Sequence, residues 1–194
     1  MAAPPPVTIL PATAERWDDF ADLMGKQGGY GGCWCMDWRL LRPEFRAQAG
    51  DGNRRAMKAL FEGAEAPGLL AYDGAQAVGW CSLARRSAFP RLARSRVLQP
   101  VDDKEVWSIS CFLIRKTHRK RGVSTALIRA ACDLVRSRGG GILEGYPIDP
   151  KKTPYPAPYA WTGLASAFRR AGFKEVLRRS DTRPIMRKRV RAAS

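Results

Sequence analysis

The sequence predicts an α/β (α+β) fold, one domain over residues 1–194 with helices on both faces of a mixed sheet. Three observations predict it. In Val106–Ile114, Trp107, Ile109, Cys111 and Leu113 alternate with Val106, Ser108, Ser110 and Phe112, which is the period of a strand. Val123–Val135 carries apolar residues at Val123, Ala126, Leu127, Ala130, Ala131, Leu134 and Val135, which is the period of an amphipathic helix. Leu69–Tyr72 and Ala77–Ala84 flank Asp73-Gly74, a dipeptide suited to a hairpin turn. Hairpins combined with strand–helix–strand crossovers call for a mixed sheet.

In chain order, Val7–Leu10 reads as a first strand after prolines. Glu15–Lys26 places Trp17, Phe20, Ala21, Leu23 and Met24 at helical spacing, with Thr13 as the expected cap. Gly28-Gly29-Tyr30-Gly31-Gly32 breaks the chain. Arg54–Phe61 is a second helix, with Met57, Leu60 and Phe61 on one face. The hairpin follows, then a basic loop over 85–104, then the strong strand and its helix, which Gly139-Gly140-Gly141 ends. Gly141–Tyr146 is a short strand and Pro147–Pro158 a proline-rich loop. Gly163–Ala171 is a short helix stopped by Gly172. Phe173–Arg178 and Arg183–Arg187 form a final strand pair.

Composition narrows the function. The 194 residues suit one domain with a full core, and 45% hydrophobic content excludes a disordered chain. No apolar run approaches the roughly 20 residues of a membrane-spanning helix, so no membrane partner is expected. Met1-Ala2-Ala3-Pro4-Pro5-Pro6 lacks the basic and apolar parts of a signal peptide; a cytoplasmic location is expected. The five cysteines, Cys33, Cys35, Cys81, Cys111 and Cys132, are an odd set that does not read as a disulfide framework. Cys33-Trp34-Cys35 lacks the usual spacing of zinc ligands, so no metal is expected. The net charge is +16, from 34 Lys+Arg against 18 Asp+Glu. Such a field attracts anions, although the arginines are spread along the chain.

The chemistry concentrates after the strong strand. Ile114 runs into a turn holding Arg115, Lys116, Arg119, Lys120 and Arg121, then Gly122, then a helix beginning at Val123, Ser124 and Thr125. The first N–H groups of a helix lack internal partners, and the helix dipole adds positive potential there. Gly122 permits close backbone approach, and Ser124 and Thr125 offer hydroxyls. Together these make a phosphate cradle. Neither a P-loop nor a dinucleotide-binding fingerprint occurs.

Arg119-Lys120-Arg121-Gly122-Val123-Ser124 resembles the acetyl-CoA-binding motif [QR]-x-x-G-x-[GA] of the GNAT acetyltransferases, with Ser124 departing from the final Gly/Ala. Ala165–Phe173 resembles that family's next helix and its closing Gly-Phe. Cys33-Trp34-Cys35-Met36, Gly79-Trp80-Cys81 and Glu144-Gly145-Tyr146-Pro147 resemble a branch of the family whose acceptor is unknown. The resemblance implies a GNAT-like mixed, mostly antiparallel sheet and acetyl-CoA as co-substrate. It assigns the pantetheine arm to Phe112, Leu113 and Ile114, and the pyrophosphate to Arg119, Lys120, Arg121, Gly122, Val123, Ser124 and Thr125. His118 would lie by the pyrophosphate, away from the acyl group.

The implied reaction is direct attack of an acceptor amine on the thioester in a ternary complex, with a backbone N–H near Cys111 or Phe112 polarising the carbonyl. Two familiar catalytic positions are changed: Ser108 stands where many members carry glutamate, and Phe168 where many carry tyrosine. Glu144 is the expected base, with Tyr146 and Tyr159 as the other catalytic candidates. Cys33, Trp34, Met36 and Trp38 are expected to line the acceptor pocket, because the family's first interhelical segment covers that site. The expected partners are a small-molecule or peptide amine and a second copy of the chain. A basic nucleic-acid-binding module is the alternative, supported by Arg91–Arg96 and Arg183–Arg191 but by no recognised motif. A CoA-binding fold without transfer activity is a third reading.

Overall fold

The computed structural model describes residues 7–152 and 155–193; the remaining residues, including the Met1–Pro6 stretch read above for a signal peptide, lie outside the described residues. The predicted alternation of Val106–Ile114 becomes β4 at the centre of a seven-stranded sheet. The other strands are β1 (Thr8–Pro11), β2 (Gly68–Asp73), β3 (Gln76–Arg85), β5 (Gly141–Gly145), β6 (Lys174–Arg178) and β7 (Pro184–Val190). Their spatial order is β1-β2-β3-β4-β5-β7-β6. Among the strands of the described residues only the β4–β5 pair is parallel, so the sheet is mixed and mostly antiparallel.

The helices cover both faces. α5 (Val123–Ser137) is the predicted amphipathic helix. It buries Leu127, Ile128, Ala131 and Val135 with α6 (Ala165–Arg170) against Val78, Ile109 and Leu143. On the opposite face, α1 (Trp17–Met24) and α3 (Asp51–Phe61) pack Phe20, Met57 and Phe61 around Trp80. Phe20 meets Trp80 edge-on at 4.7 Å, a favoured aromatic geometry. A third cluster on that face joins Trp38, Phe89, Leu92 and Leu98 to Tyr146 and Ile185. No helix among the described residues is long and apolar enough to cross a membrane.

Local differences from the sequence reading have physical causes. The stretch 85–104 is not all loop: it contains α4 (Pro90–Ala93), whose Leu92 is fully buried. α2 (Arg42–Ala47) is an additional short helix, with proline in its first turn. Thr13 does not cap a helix through its side chain; its Oγ1 accepts a hydrogen bond from Arg16 Nη1 at 2.6 Å. The last strand runs on to Val190, which pairs with Gly141.

Two details place the site. The β3–β4 register jumps from Ser82–Cys111 to Leu83–Ile109, leaving Ser110 as a bulge in β4; a bulge bends its strand. The β4–β5 pairing ends at Ile109–Gly145. Beyond it the two parallel strands separate, and the Ala160–Gly163 turn lies in the gap.

Candidate active site

The edge of β4 that faces the gap is defined by strand alternation. Arg115 N–H donates to Val78 O across β3, so the amide groups of Phe112 and Ile114 point the other way, into the gap. The Ile114 N–H has no backbone partner among the described residues. The Phe112 N–H is engaged: it donates to Trp161 O at 2.6 Å. The Trp161 ring stacks on Trp38 with centroids 5.6 Å apart. The amide expected to polarise a carbonyl is therefore held by a carbonyl of the chain itself.

The turn after β4 leads into the first turn of α5. Lys120 and Gly122 both have left-handed backbone, φ 62° and 81°. Gly122 is required for that conformation rather than for want of room, since a Cβ there meets nothing within 4 Å. Val123, Ser124 and Thr125 offer N–H groups without a backbone partner among the described residues. The Thr125 hydroxyl is buried and also lacks a partner. Buried polar groups are normally satisfied, so amides and hydroxyl together fit an anionic ligand. Arg119, Lys120 and Arg121 are exposed, and Arg119 Nε donates to Ile114 O. Leu113 and Ile114 are half-buried; Val123 is buried.

Arg115 and His118 of the turn serve the fold. Arg115 pairs with Asp22 of α1 and donates to Ala77 O. His118 Nε2 lies 3.0 Å from Asp73 Oδ2, and its Nδ1 lies 2.8 Å from Thr117 Oγ1. This ties the turn to the β2–β3 hairpin, so His118 is not a free phosphate neighbour.

Glu144 and Tyr146 come together, inside a buried network of ion pairs and hydrogen bonds. Glu144 is fully buried. Its Oε1 accepts from Arg86 Nη1 and from the Tyr146 hydroxyl, each at 2.6 Å, and its Oε2 accepts from Arg187 Nε at 2.6 Å. Arg187 also makes two bonds to Asp102, at 2.8 and 3.0 Å. A carboxylate bracketed by two guanidinium groups, with no exposure, is the centre of a buried ion network. Tyr146 is equally buried; its hydroxyl lies 2.8 Å from Ser108 Oγ and accepts from Arg86. Burial and the neighbouring Glu144 charge push its phenol well above the ordinary value. Tyr159 does not join them and is 65% exposed.

The expected acceptor pocket is also redistributed. Trp34 and Met36 pack with Trp17 and Phe20 in the core beneath α1. Trp34 fills space that Gly28 leaves, since a Cβ on Gly28 would sit 2.1 Å from its Nε1. Trp34 also borders a depression of about 440 Å³ with Asp22, Lys26, Asp51 and Arg54. Cys33 is half-buried, its Sγ directed at Gly28 O. Trp38 alone of the four lies against the Trp161 turn. Sequence reasoning missed Arg86, Arg187, Arg39 and Trp161; an arginine inside a fold gives no periodic signal, and the Glu144 partners Arg86 and Arg187 lie 58 and 43 residues from it.

Residues 36–145 match the model of the acetyltransferase (GNAT) family. No curated protein matches the chain. Among solved structures, a GNAT-family acetyltransferase from Listeria monocytogenes is 12% identical, with 94% of each chain covered and a TM-score of 0.59. A histone acetyltransferase-related acetyltransferase from Corynebacterium glutamicum is 17% identical, with 97% of each chain covered and a TM-score of 0.54. PaiA N-acetyltransferase from Thermoplasma acidophilum, in complex with coenzyme A, is 9% identical, covering 95% of this chain and 99% of its own, with a TM-score of 0.52. At these identities the likeness speaks for the fold.

Proposed function

The chain belongs to the acetyltransferase (GNAT) family, and from that premise we propose that it moves an acetyl group from acetyl-CoA to an amine of a small-molecule or peptide acceptor, by direct transfer in a ternary complex. The observation that carries the reading is the cradle at the end of a separating strand. Left-handed Gly122, the unpartnered first-turn amides of α5 and the orphaned Thr125 hydroxyl converge where β4 leaves β5. Ser124, Thr125, Lys120 and Arg121 would hold the pyrophosphate; Phe112 and Ile114 would hold the pantetheine arm through backbone amides. When bound, the donor supplies an activated thioester.

The chain's part is to bind, orient and move a proton. Holding amine and thioester in register accounts for a large share of the acceleration. Phe112 N–H would polarise the acyl oxygen once the Trp161 carbonyl gives it up. Trp38 and Trp161 would wall the acceptor side. Glu144 serves by fixing Arg86, Arg187 and Tyr146 beneath Ser108, which keeps the floor of the site rigid.

Calorimetric titration with acetyl-CoA on the wild type and on Gly122→Trp tests the reading. The added side chain meets nothing within 4 Å and enters the cradle; left-handed backbone costs a non-glycine residue about 1–2 kcal/mol, less than the roughly 5–15 kcal/mol stability of a domain, so the protein should fold while micromolar binding is lost. Release of free CoA thiol with a panel of primary amines then tests transfer. A folded wild type that binds no acetyl-CoA would overturn the proposal.

A further inference from the structure

The side of the gap walled by Trp38 and Trp161 holds positive charge that the chain does not neutralise. Every Asp and Glu of the sequence falls among the described residues. Around the third cluster most arginines meet one of them. Arg86 and Arg187 pair with Glu144, Arg187 also with Asp102, Arg91 with Asp37, and Arg178 with Asp149. Arg183 and Arg39 have no carboxylate in ion-pair reach among the described residues; their side chains donate to neutral oxygens.

Arg183 is the one that borders the gap. β7 runs antiparallel to β5, with Met186 opposite Gly145. Arg183 precedes β7, so it lies at the end where β5 has left β4. Its Nη1 donates to Thr162 Oγ1 at 3.0 Å, and Thr162 is fully buried. That hydroxyl is the sole hydrogen-bond partner of the Arg183 side chain among the described residues. Thr162 follows Trp161, whose carbonyl holds the Phe112 amide at 2.6 Å and whose ring stacks on Trp38. The guanidinium is thus fixed to the residue next to the one that occupies the polarising amide. Burial lowers its pKa, with no carboxylate to oppose the shift.

A second donor is unmet in the same wall. Trp38 is buried, and its indole N–H has no partner. Buried donors normally have an acceptor, and a guanidinium shielded from water without an anion is unfavourable. Arg39, next to Trp38 in the chain, adds to the positive potential; its Nη2 meets only Pro67 O at 3.0 Å and Ser82 Oγ at 3.4 Å.

We propose that the acceptor is an amine that also carries a carboxylate, that Arg183 binds the carboxylate, and that the Trp38–Trp161 stack bears the carbon chain between the two charges. This names the acceptor class for the transfer proposed above and rests on that reading. A guanidinium fork matches a carboxylate through two parallel N–H bonds. A simple alkylamine enters as a cation, and a chain of net charge +16 repels it. An amino acid balances its ammonium with its own carboxylate and supplies the anion that Arg183 lacks. An uncharged analogue of the same shape leaves that cation uncompensated, which is how a polar site rejects a near-isostere.

The test compares ω-amino acids of several chain lengths with their carboxamides, whose amines have similar basicity, by release of CoA thiol from acetyl-CoA. The wild type should use the best acid with a kcat/KM at least about tenfold above that of its carboxamide. Arg183→Gln should bring the ratio to about one, chiefly through KM, with acetyl-CoA affinity unchanged by calorimetry; Arg183→Lys should keep part of the preference. Because the charge of Arg183 is uncompensated, Arg183→Gln should hold or raise Tm, whereas a purely structural arginine would be missed by the fold. A wild-type ratio near one overturns the proposal, as does a preference that survives Arg183→Gln. A wild type that binds acetyl-CoA but acetylates neither member of any pair overturns it too. A wild type that binds no acetyl-CoA sinks the transfer reading, and this inference with it.

Discussion

Substituting Glu144 by Gln separates two accounts of this residue. As a general base, it would be replaced with little change in stability and a large loss of turnover. As a buried network centre, it would be missed chiefly by the fold. Its side chain has no exposure, and three donors reach it at 2.6 Å from Arg86, Tyr146 and Arg187. Glutamine removes the charge and turns one terminus into a donor facing a guanidinium N–H. Both arginines remain largely buried, 13% and 11% exposed at the side chain. Breaking a buried pair by deleting one partner costs about 3–5 kcal/mol. For a domain of this size, each kcal/mol shifts Tm by about 2–4 °C, so a fall of roughly 6–20 °C is expected. Thermal and urea unfolding followed by circular dichroism would measure it. A loss under about 1 kcal/mol, together with turnover abolished at every pH, would refute the network account and restore Glu144 as base.

Four further outcomes are expected. Thr125→Val removes a buried hydroxyl that bonds nothing, so unfolding free energy should hold or rise while acetyl-CoA affinity drops about fivefold, read by calorimetry. Lys120→Glu with Arg121→Glu should raise the KM for acetyl-CoA at least about tenfold and change stability by under about 0.5 kcal/mol, because both side chains are exposed. Gly145→Ala would put a Cβ 2.1 Å from the Phe168 ring; overpacking should destabilise by about 1–3 kcal/mol in urea. Asp102 is held at about 2, first by its hydrogen bonds from Arg187. Its contribution is present above the unfolded value of about 3.9 and disappears as pH falls through about 2, so Asp102→Asn should flatten that part of the acid denaturation curve.

The fold was legible because its elements carry local periodicity. β4, α5 and the β2–β3 hairpin each repeat a pattern over neighbouring residues, and the cradle is encoded by a contiguous run ending at Gly122. The site beyond the cradle was less legible. Glu144 and Tyr146 read as catalytic candidates because the family places the thioester beside its splayed strands; the ion network around them comes from Arg86 and Arg187, 58 and 43 residues from Glu144. Trp34 and Met36 read as pocket walls because the family's first interhelical segment covers the acceptor site. Their burial depends on Gly28 and on α1, neither of which marks the motif itself. The Cys33-Trp34-Cys35 motif was visible, but the Trp80 indole N–H that meets the Cys35 sulfur lies 45 residues away, and only the assembled sheet brings the two together.

The position of Trp161 carries a consequence for how the site works. A strand that separates from its parallel neighbour exposes amides that must be satisfied. Here the Ala160–Gly163 turn satisfies one of them, Phe112 N–H, through a 2.6 Å bond from inside the gap. The same amide cannot hold the Trp161 carbonyl and polarise an acyl oxygen at full strength. Under the proposed transfer, donor binding would displace a bond with a net worth of about 1 kcal/mol, and with it the carbonyl of a tryptophan stacked on Trp38. If Trp38 and Trp161 wall the acceptor side as proposed, that displacement would couple the two substrates.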